Sequence, residues 1–172
     1  MNKLSTTYLL VLGFLVAGGV HDVSAQTDTF MLVPNIKGSS TDAKHKDWID
    51  VVALTQTLQT TGGNSAAGAP SRRRAICSLE VVKGLDQSSP LLWAAAVMGQ
   101  VSAEIVIDVQ SDSRLIYQIK LQNAMINAAS TSANGEFVEH VAFSTGSVQL
   151  IFFEQRPDGS AGGQTTSTFV CA

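Results

Sequence analysis

Leu115-Ile116-Tyr117-Gln118-Ile119-Lys120-Leu121-Gln122 decides the fold. Leu115, Tyr117, Ile119 and Leu121 alternate with Ile116, Gln118, Lys120 and Gln122, so one face is apolar and most of the other is polar. Side chains of a strand point to opposite faces with a period of two, and this segment therefore reads as a strand with one buried face. Just upstream, Ala103, Ile105, Ile107 and Val109 alternate with Glu104 and Asp108. The polar run Gln110-Ser111-Asp112-Ser113 between the two segments suits a tight connection, which predicts an antiparallel hairpin.

Outward from that hairpin the same reading repeats. Strands are predicted at Thr29–Val33, Trp48–Leu58, Ala75–Lys83, Phe137–Phe143, Val148–Gln155 and Ser167–Cys171. Asn134-Gly135 and Pro157-Asp158-Gly159 separate them, because Asn, Asp and Gly tolerate the positive φ of tight turns. Short strands at such intervals point to a sandwich or barrel. One segment breaks the period: Ser89-Pro90-Leu91-Leu92-Trp93-Ala94-Ala95-Ala96-Val97-Met98-Gly99. Ser89 suits an N-cap, Pro90 the first helical position and Gly99 the position after the end, so a short helix is predicted, packing through Leu91, Leu92 and Trp93. Thr60–Pro70 and Gly159–Thr166 hold Gly, Ser, Thr and Ala with almost nothing to anchor a core, and both read as loops.

The first residues bear on compartment. Met1–Tyr8 carries one cation, Lys3; the apolar run Leu9–Val20 follows, then Val23-Ser24-Ala25. This is the pattern of a cleavable secretory signal at residues 1–25, leaving a mature domain from Gln26 to Ala172; an uncleaved membrane anchor is the competing reading. Gly13, Gly18 and Gly19 interrupt the apolar run and favour cleavage, after which no membrane attachment is expected. Removing Lys3 and Asp22 leaves the net charge of −3 unchanged. A chain of 172 residues fits one domain, and its acidic balance argues against a nucleic-acid partner. Arg72-Arg73-Arg74 is the one basic run, and it reads as a solvated loop flank.

Export brings an oxidising environment, which favours pairing of the two cysteines, Cys77 and Cys171; two buried thiols or an intermolecular bridge are the alternatives. Catalytic and cofactor motifs are not found. The chain carries neither a Gly-x-Ser-x-Gly elbow nor a phosphate loop, and the mature histidines are His45 and His140 alone. Asp42, His45 and Asp47 could be drawn as a metal site, but Lys44 and Lys46 between them would repel a cation. A polar connector that caps its own backbone, closed by Trp48 as a core anchor, is the better reading.

That connector carries a family resemblance. Ile36-Lys37-Gly38-Ser39-Ser40-Thr41-Asp42-Ala43-Lys44-His45-Lys46-Asp47-Trp48-Ile49 resembles the signature of the Hcp (haemolysin-coregulated) proteins of type VI secretion, loosely Ile-x-Gly-Glu-Ser-x-Asp-x-x-His-x-x-x-Ile. Gly38, Ser40, Asp42, His45 and Trp48 lie within this block. Leu85-Asp86-Gln87-Ser88-Ser89-Pro90-Leu91-Leu92 is similar to the family's helix start, with Ser89 and Pro90 at its centre. Tyr117–Ile126, which contains Asn123, resembles a family strand, and Glu139–Phe143 with Val148–Phe152 resemble its closing strand pair. The resemblance implies a mainly β chain: a small two-sheet β-barrel with one short flanking α-helix, closing into a homo-hexameric ring with a central channel. It implies a structural, non-enzymatic subunit that takes no cofactor or metal, stacks on itself and meets other type VI components, with Thr60–Pro70 as the candidate stacking contact. Two departures stand out. Ser39 occupies the place of a family Glu, and the signal-like start has no counterpart in a family whose subunits are made without one. An exported Hcp-fold protein acting alone, as a periplasmic or extracellular binding module, is the alternative.

Overall fold

The computed structural model describes residues 27–61, 74–133, 135–156, 158 and 160–171. The signal-like segment, Gln26, most of the Thr60–Pro70 stretch, Arg72 and Arg73, and the turn residues Asn134, Pro157 and Gly159 lie outside them. The elements are β1 (Thr27–Leu32), β2 (Ile49–Val51), β3 (Ala53–Thr61), β4 (Arg74–Gly84), α1 (Ser89–Val97), β5 (Val101–Ser111), β6 (Arg114–Ala133), β7 (Phe137–Ser144), β8 (Ser147–Gln155) and β9 (Ala161–Val170). The chain is mainly β, as the alternation implies.

β5 and β6 form the expected hairpin, turned by Asp112 and Ser113, which both take positive φ (49° and 61°). Two consecutive positive-φ residues match the right-handed twist of the flanking strands. β6 is far longer than the alternation shows: 20 residues, running on to Ala133. It is the spine of the sheet. Its first half pairs β5 on one side and β8 on the other; its second half pairs β7. β1 and β2 extend the β5 side, β9 extends β8, and β4 and β3 extend β7.

The sheet folds over β6, and the inner faces of its two arms meet. Met31, Ile105, Ile107, Ile119, Leu121 and Val148 from one arm, and Leu79, Val81, Val141 and Phe143 from the other, form a single core that Leu92 of α1 caps. Burial of that contiguous apolar surface is the main force holding the arms together. The ladder is therefore one continuous nine-stranded sheet rather than two separate sheets, and among the described residues strand pairing does not close it.

Four local expectations need correction. Gly159–Thr166 is not simply a loop: β9 begins at Ala161, because pairing with β8 satisfies its backbone although its side chains bury little. Trp48–Leu58 is not one strand. It breaks at Val52, whose N–H donates to Val82 O at 2.7 Å and carries the chain from one arm to the other. The N-cap is Ser88 rather than Ser89, and it makes no side-chain cap bond, because its hydroxyl donates to Asp86 Oδ1; the Ser89 hydroxyl is drawn into a buried ion-pair network. Leu92 alone of Leu91, Leu92 and Trp93 is fully buried; Leu91 is exposed, and Trp93 is partly exposed while its indole N–H reaches inward to Glu139. The helix ends as expected: Gly99 at φ 60° lets its own N–H reach Ala96 O and that of Gln100 reach Ala95 O.

Candidate functional site

The signature connector folds across the outer face of β1 and β5. Gly38 and Ser40 donate backbone N–H bonds to Asp47 O (2.8 Å) and Trp48 O (3.0 Å), a short ladder inside the connector. A side chain on Gly38 would strike the Trp48 carbonyl, which explains glycine there. Ser40 Oγ and Asp42 Oδ1 cap the backbone that follows, the latter accepting the N–H groups of Lys44 and His45 at 2.9 Å each. The ladder and caps carry the chain round the turn at Asp47, whose φ is 64°.

His45 is the plug of this connector. Its ring stacks on Phe30 at a centroid distance of 4.4 Å and meets the half-buried Trp48 edge-on at 4.7 Å. Nδ1 lies 2.8 Å from Asp42 Oδ1, and Nε2 lies 3.0 Å from Asp108 Oδ2 on β5. Asp108 is itself held by the Gln118 side chain of β6 at 2.8 Å. The His45 hydrogen bond, then the Lys44 backbone N–H, hold the Asp42 carboxyl below the usual carboxylate range. The structure thus brings Asp42 and His45 together but sends Asp47 elsewhere, to Lys37 at 3.1 Å on the surface. Among the described residues no three potential ligands converge as a metal site would require.

A second network anchors α1. Lys83 on β4 and Glu139 on β7 are direct cross-strand partners, and both side chains are buried. Lys83 Nζ lies 3.0 Å from Glu139 Oε2, 2.8 Å from Asp86 Oδ1, and donates to Ser89 Oγ and Gly84 O. Ser89 Oγ donates to Glu139 Oε2 at 2.7 Å, and Trp93 Nε1–H to Oε1 at 2.5 Å. Burial pushes the Glu139 carboxyl up, but the bonds from Ser89, Lys83 and Trp93 outweigh it and leave the group below its ordinary range. Asp86 follows the same logic: burial raises it, and Lys83 and Ser88 bring it down. Pro90 follows Ser89 at the start of the helix, where its missing N–H costs nothing.

The networks are joined. Ser39 N–H donates to Asp86 Oδ2 at 3.1 Å, and the Gln87 amide donates to Gly38 O. The two blocks of sequence that resemble one family therefore touch in space. Asn123, at φ 50°, stands apart, at the point where β6 passes from one arm to the other, with Gly146 N–H bonded to Gln122 O beside it. Cys77 and Cys171 are joined in a disulfide with Cα atoms 5.6 Å apart, within the usual range.

Sequence reasoning did not single out Lys83, Asp108 or Glu139 as site residues. A signal existed for Lys83 and Glu139: each continues the inward parity of its strand, after Leu79 and Val81 on β4 and before Val141 and Phe143 on β7. One opposite charge at an inward position of each of two strands calls for a buried pair. Asp108 offered no such signal, because its burial depends on a connector more than sixty residues earlier in sequence.

These networks hold a connector and a helix against a sheet, and comparison with known proteins agrees on that architecture. A family profile described as type VI secretion system effector, Hcp, matches residues 30–152. No curated protein sequence matches the chain. Among solved structures, one described as a type six secretion system protein superposes with a TM-score of 0.74 at 23% identity, covering 84% of this chain and 96% of the other. Hcp1 from Salmonella typhimurium gives 0.68 at 20% identity, over 86% of this chain and 95% of its own. A type VI secretion system effector from Yersinia pestis gives 0.67 at 17% identity, over 83% and 99%. The structural likeness concerns the fold; together with the profile, which spans most of the chain including both networks, it places this protein in the Hcp family of type VI secretion effectors.

Proposed function

We propose that this protein is an exported structural subunit that assembles with copies of itself into a hexameric, channel-containing ring of the type VI secretion tube kind. The observation that carries the reading, beyond family membership, is the outer face of α1. The helix holds no charged residue, and Leu91, Trp93, Val97 and Met98 are exposed on it, with Val101 just beyond. A helix that is apolar on every side belongs inside a larger body, and a contiguous apolar surface of this kind marks a contact. Among the described residues the sheet also offers free edges on β3 and β9, so each copy presents different surfaces for head-to-tail association. Residues 1–25 act as the secretory signal in this reading, and the domain begins at Gln26.

A second reading, a stand-alone exported module of Hcp fold, draws on one specific observation. The Cys77–Cys171 bond belongs to an oxidising compartment, and the signal-like start would carry the chain there. The test addresses the helix face. Val97→Lys with Met98→Lys places two charges on residues that are 86% and 70% exposed, at little cost to an isolated subunit. Sedimentation velocity is expected to show the parent as a six-copy species and the variant as a folded single copy. A variant that assembles like the parent removes the helix face from the interface, and a parent that sediments as one copy favours the stand-alone module.

A further inference from the structure

The two arms of the sheet part at β6, and among the described residues the ladder does not rejoin them on the far side: there β9 pairs only with β8, and β3 only with β4. The disulfide crosses that seam. Cys77 lies on β4 with the same inward parity as Leu79 and Val81, and Cys171 follows directly on β9. Both sulfur-bearing residues pack against the core as partly buried groups.

β9 is otherwise lightly held. Its ladder to β8 is broken by an irregularity between Phe153 and Gln155. Gln164, Thr165, Thr166, Ser167 and Thr168 are all exposed, and Phe169 is the strand's one hydrophobic side chain packed on the core. Beyond the strand, the backbone N–H of Cys171 donates to Gly146 O at 2.9 Å. A strand with few buried apolar contacts and one free edge opens at low free-energy cost, independently of the rest of the molecule. The cross-link therefore decides how often β9 leaves the sheet.

We infer that Cys77–Cys171 is a redox-operated clasp: oxidised, it pins β9 across the seam; reduced, β9 opens locally while the sheet built on β5, β6 and β7 persists. The chemistry is thiol–disulfide exchange with a dithiol. One thiolate of the dithiol attacks a cysteine sulfur, the S–S bond breaks, and the other cysteine leaves as thiolate. The second thiol of the reductant then displaces the first cysteine and closes the reductant's own disulfide. Two electrons and two protons pass to the protein, and the reverse exchange with a disulfide oxidant restores the clasp. A chain not yet exported would carry both thiols, with β9 mobile and the edge of β8 intermittently uncovered; export closes it. The inference concerns the seam within one chain and stands whether or not rings form.

Hydrogen exchange followed by mass spectrometry tests it on the intact mature protein, with and without excess dithiothreitol. On reduction, peptides covering 161–171 are expected to exchange at least about tenfold faster, while those covering 114–126 and 138–144 change by less than about twofold. The variant Cys77→Ser with Cys171→Ser should show the fast β9 pattern without reductant and no response to it. Unchanged exchange in β9 after the bond is reduced overturns the inference, and so does a bond that survives excess dithiol. A rise spread evenly over all strands, or a double variant that is wholly unfolded, also overturns it, because the bond then supports the whole fold rather than one strand.

Discussion

A Cβ placed on Gly38 would lie 2.1 Å from the Trp48 carbonyl oxygen and 2.5 Å from Ile49 Cα, both backbone atoms that no rotamer change can move aside. The connector must pass this close because Gly38 and Ser40 bond the backbone of Asp47 and Trp48, and that short ladder presents His45 to Asp108. Gly38→Ala is therefore expected to lower the unfolding free energy by about 3 kcal/mol or more, the upper range for an overpacked site, as read from the urea midpoint at unchanged slope. A variant as stable as the parent would show that the connector yields there. At this scale the sequence was legible in part. Gly38, Ser40, Asp42 and His45 stand out as a polar block, and Asp42 does cap its own backbone. The block's purpose, a lid whose histidine bonds a carboxylate on a distant strand, depends on a contact between His45 and Asp108 that no local pattern encodes.

Between elements, the decisive link is the buried Lys83–Glu139 pair, which with Ser89 and Trp93 ties α1 to β4 and β7. Lys83→Met keeps the volume but leaves Glu139 buried without its cation, an expected loss of about 3–5 kcal/mol. The pH dependence follows from the direction of the shifts. Glu139 and Asp86 are both held below their ordinary values, so they stabilise the fold above those values, and that stability is lost as pH falls below about 4. In the variant, burial is no longer opposed by Lys83, and the acid-induced loss should shrink; an equally steep loss in both proteins would assign it to other carboxylates. The strands and helix were largely legible because alternation and end signals are local. The second half of β6 was not. Asn123 takes a positive φ, the register shifts between Ile126 and Ala128, and Ala, Ser and Thr then replace the apolar alternation. The first part of β9, Ala161–Thr166, escaped for a related reason, whereas its end from Ser167 was legible as strand. The strand character of Ala161–Thr166 comes from pairing with β8, while its small and polar side chains carry no pattern of burial.

At the scale of the whole molecule, the described residues form a sheet folded on itself, capped by α1 and stitched across its open side by a disulfide that spans 94 residues of sequence. The chain-entropy model sets a ceiling of about 4–5 kcal/mol on a cross-link of that span; as a clasp, the bond has its main effect on β9 and leaves the rest of the sheet to its own core. Among the described residues the same architecture leaves a charge-free helix face and free strand edges in water, features that a partner surface would cover. Assembly into a closed ring is the central claim, and native mass spectrometry of the mature chain from Gln26 onward measures it most directly. The account predicts a dominant species of six copies that persists on dilution through the micromolar range. A single-copy mass at every concentration would contradict it.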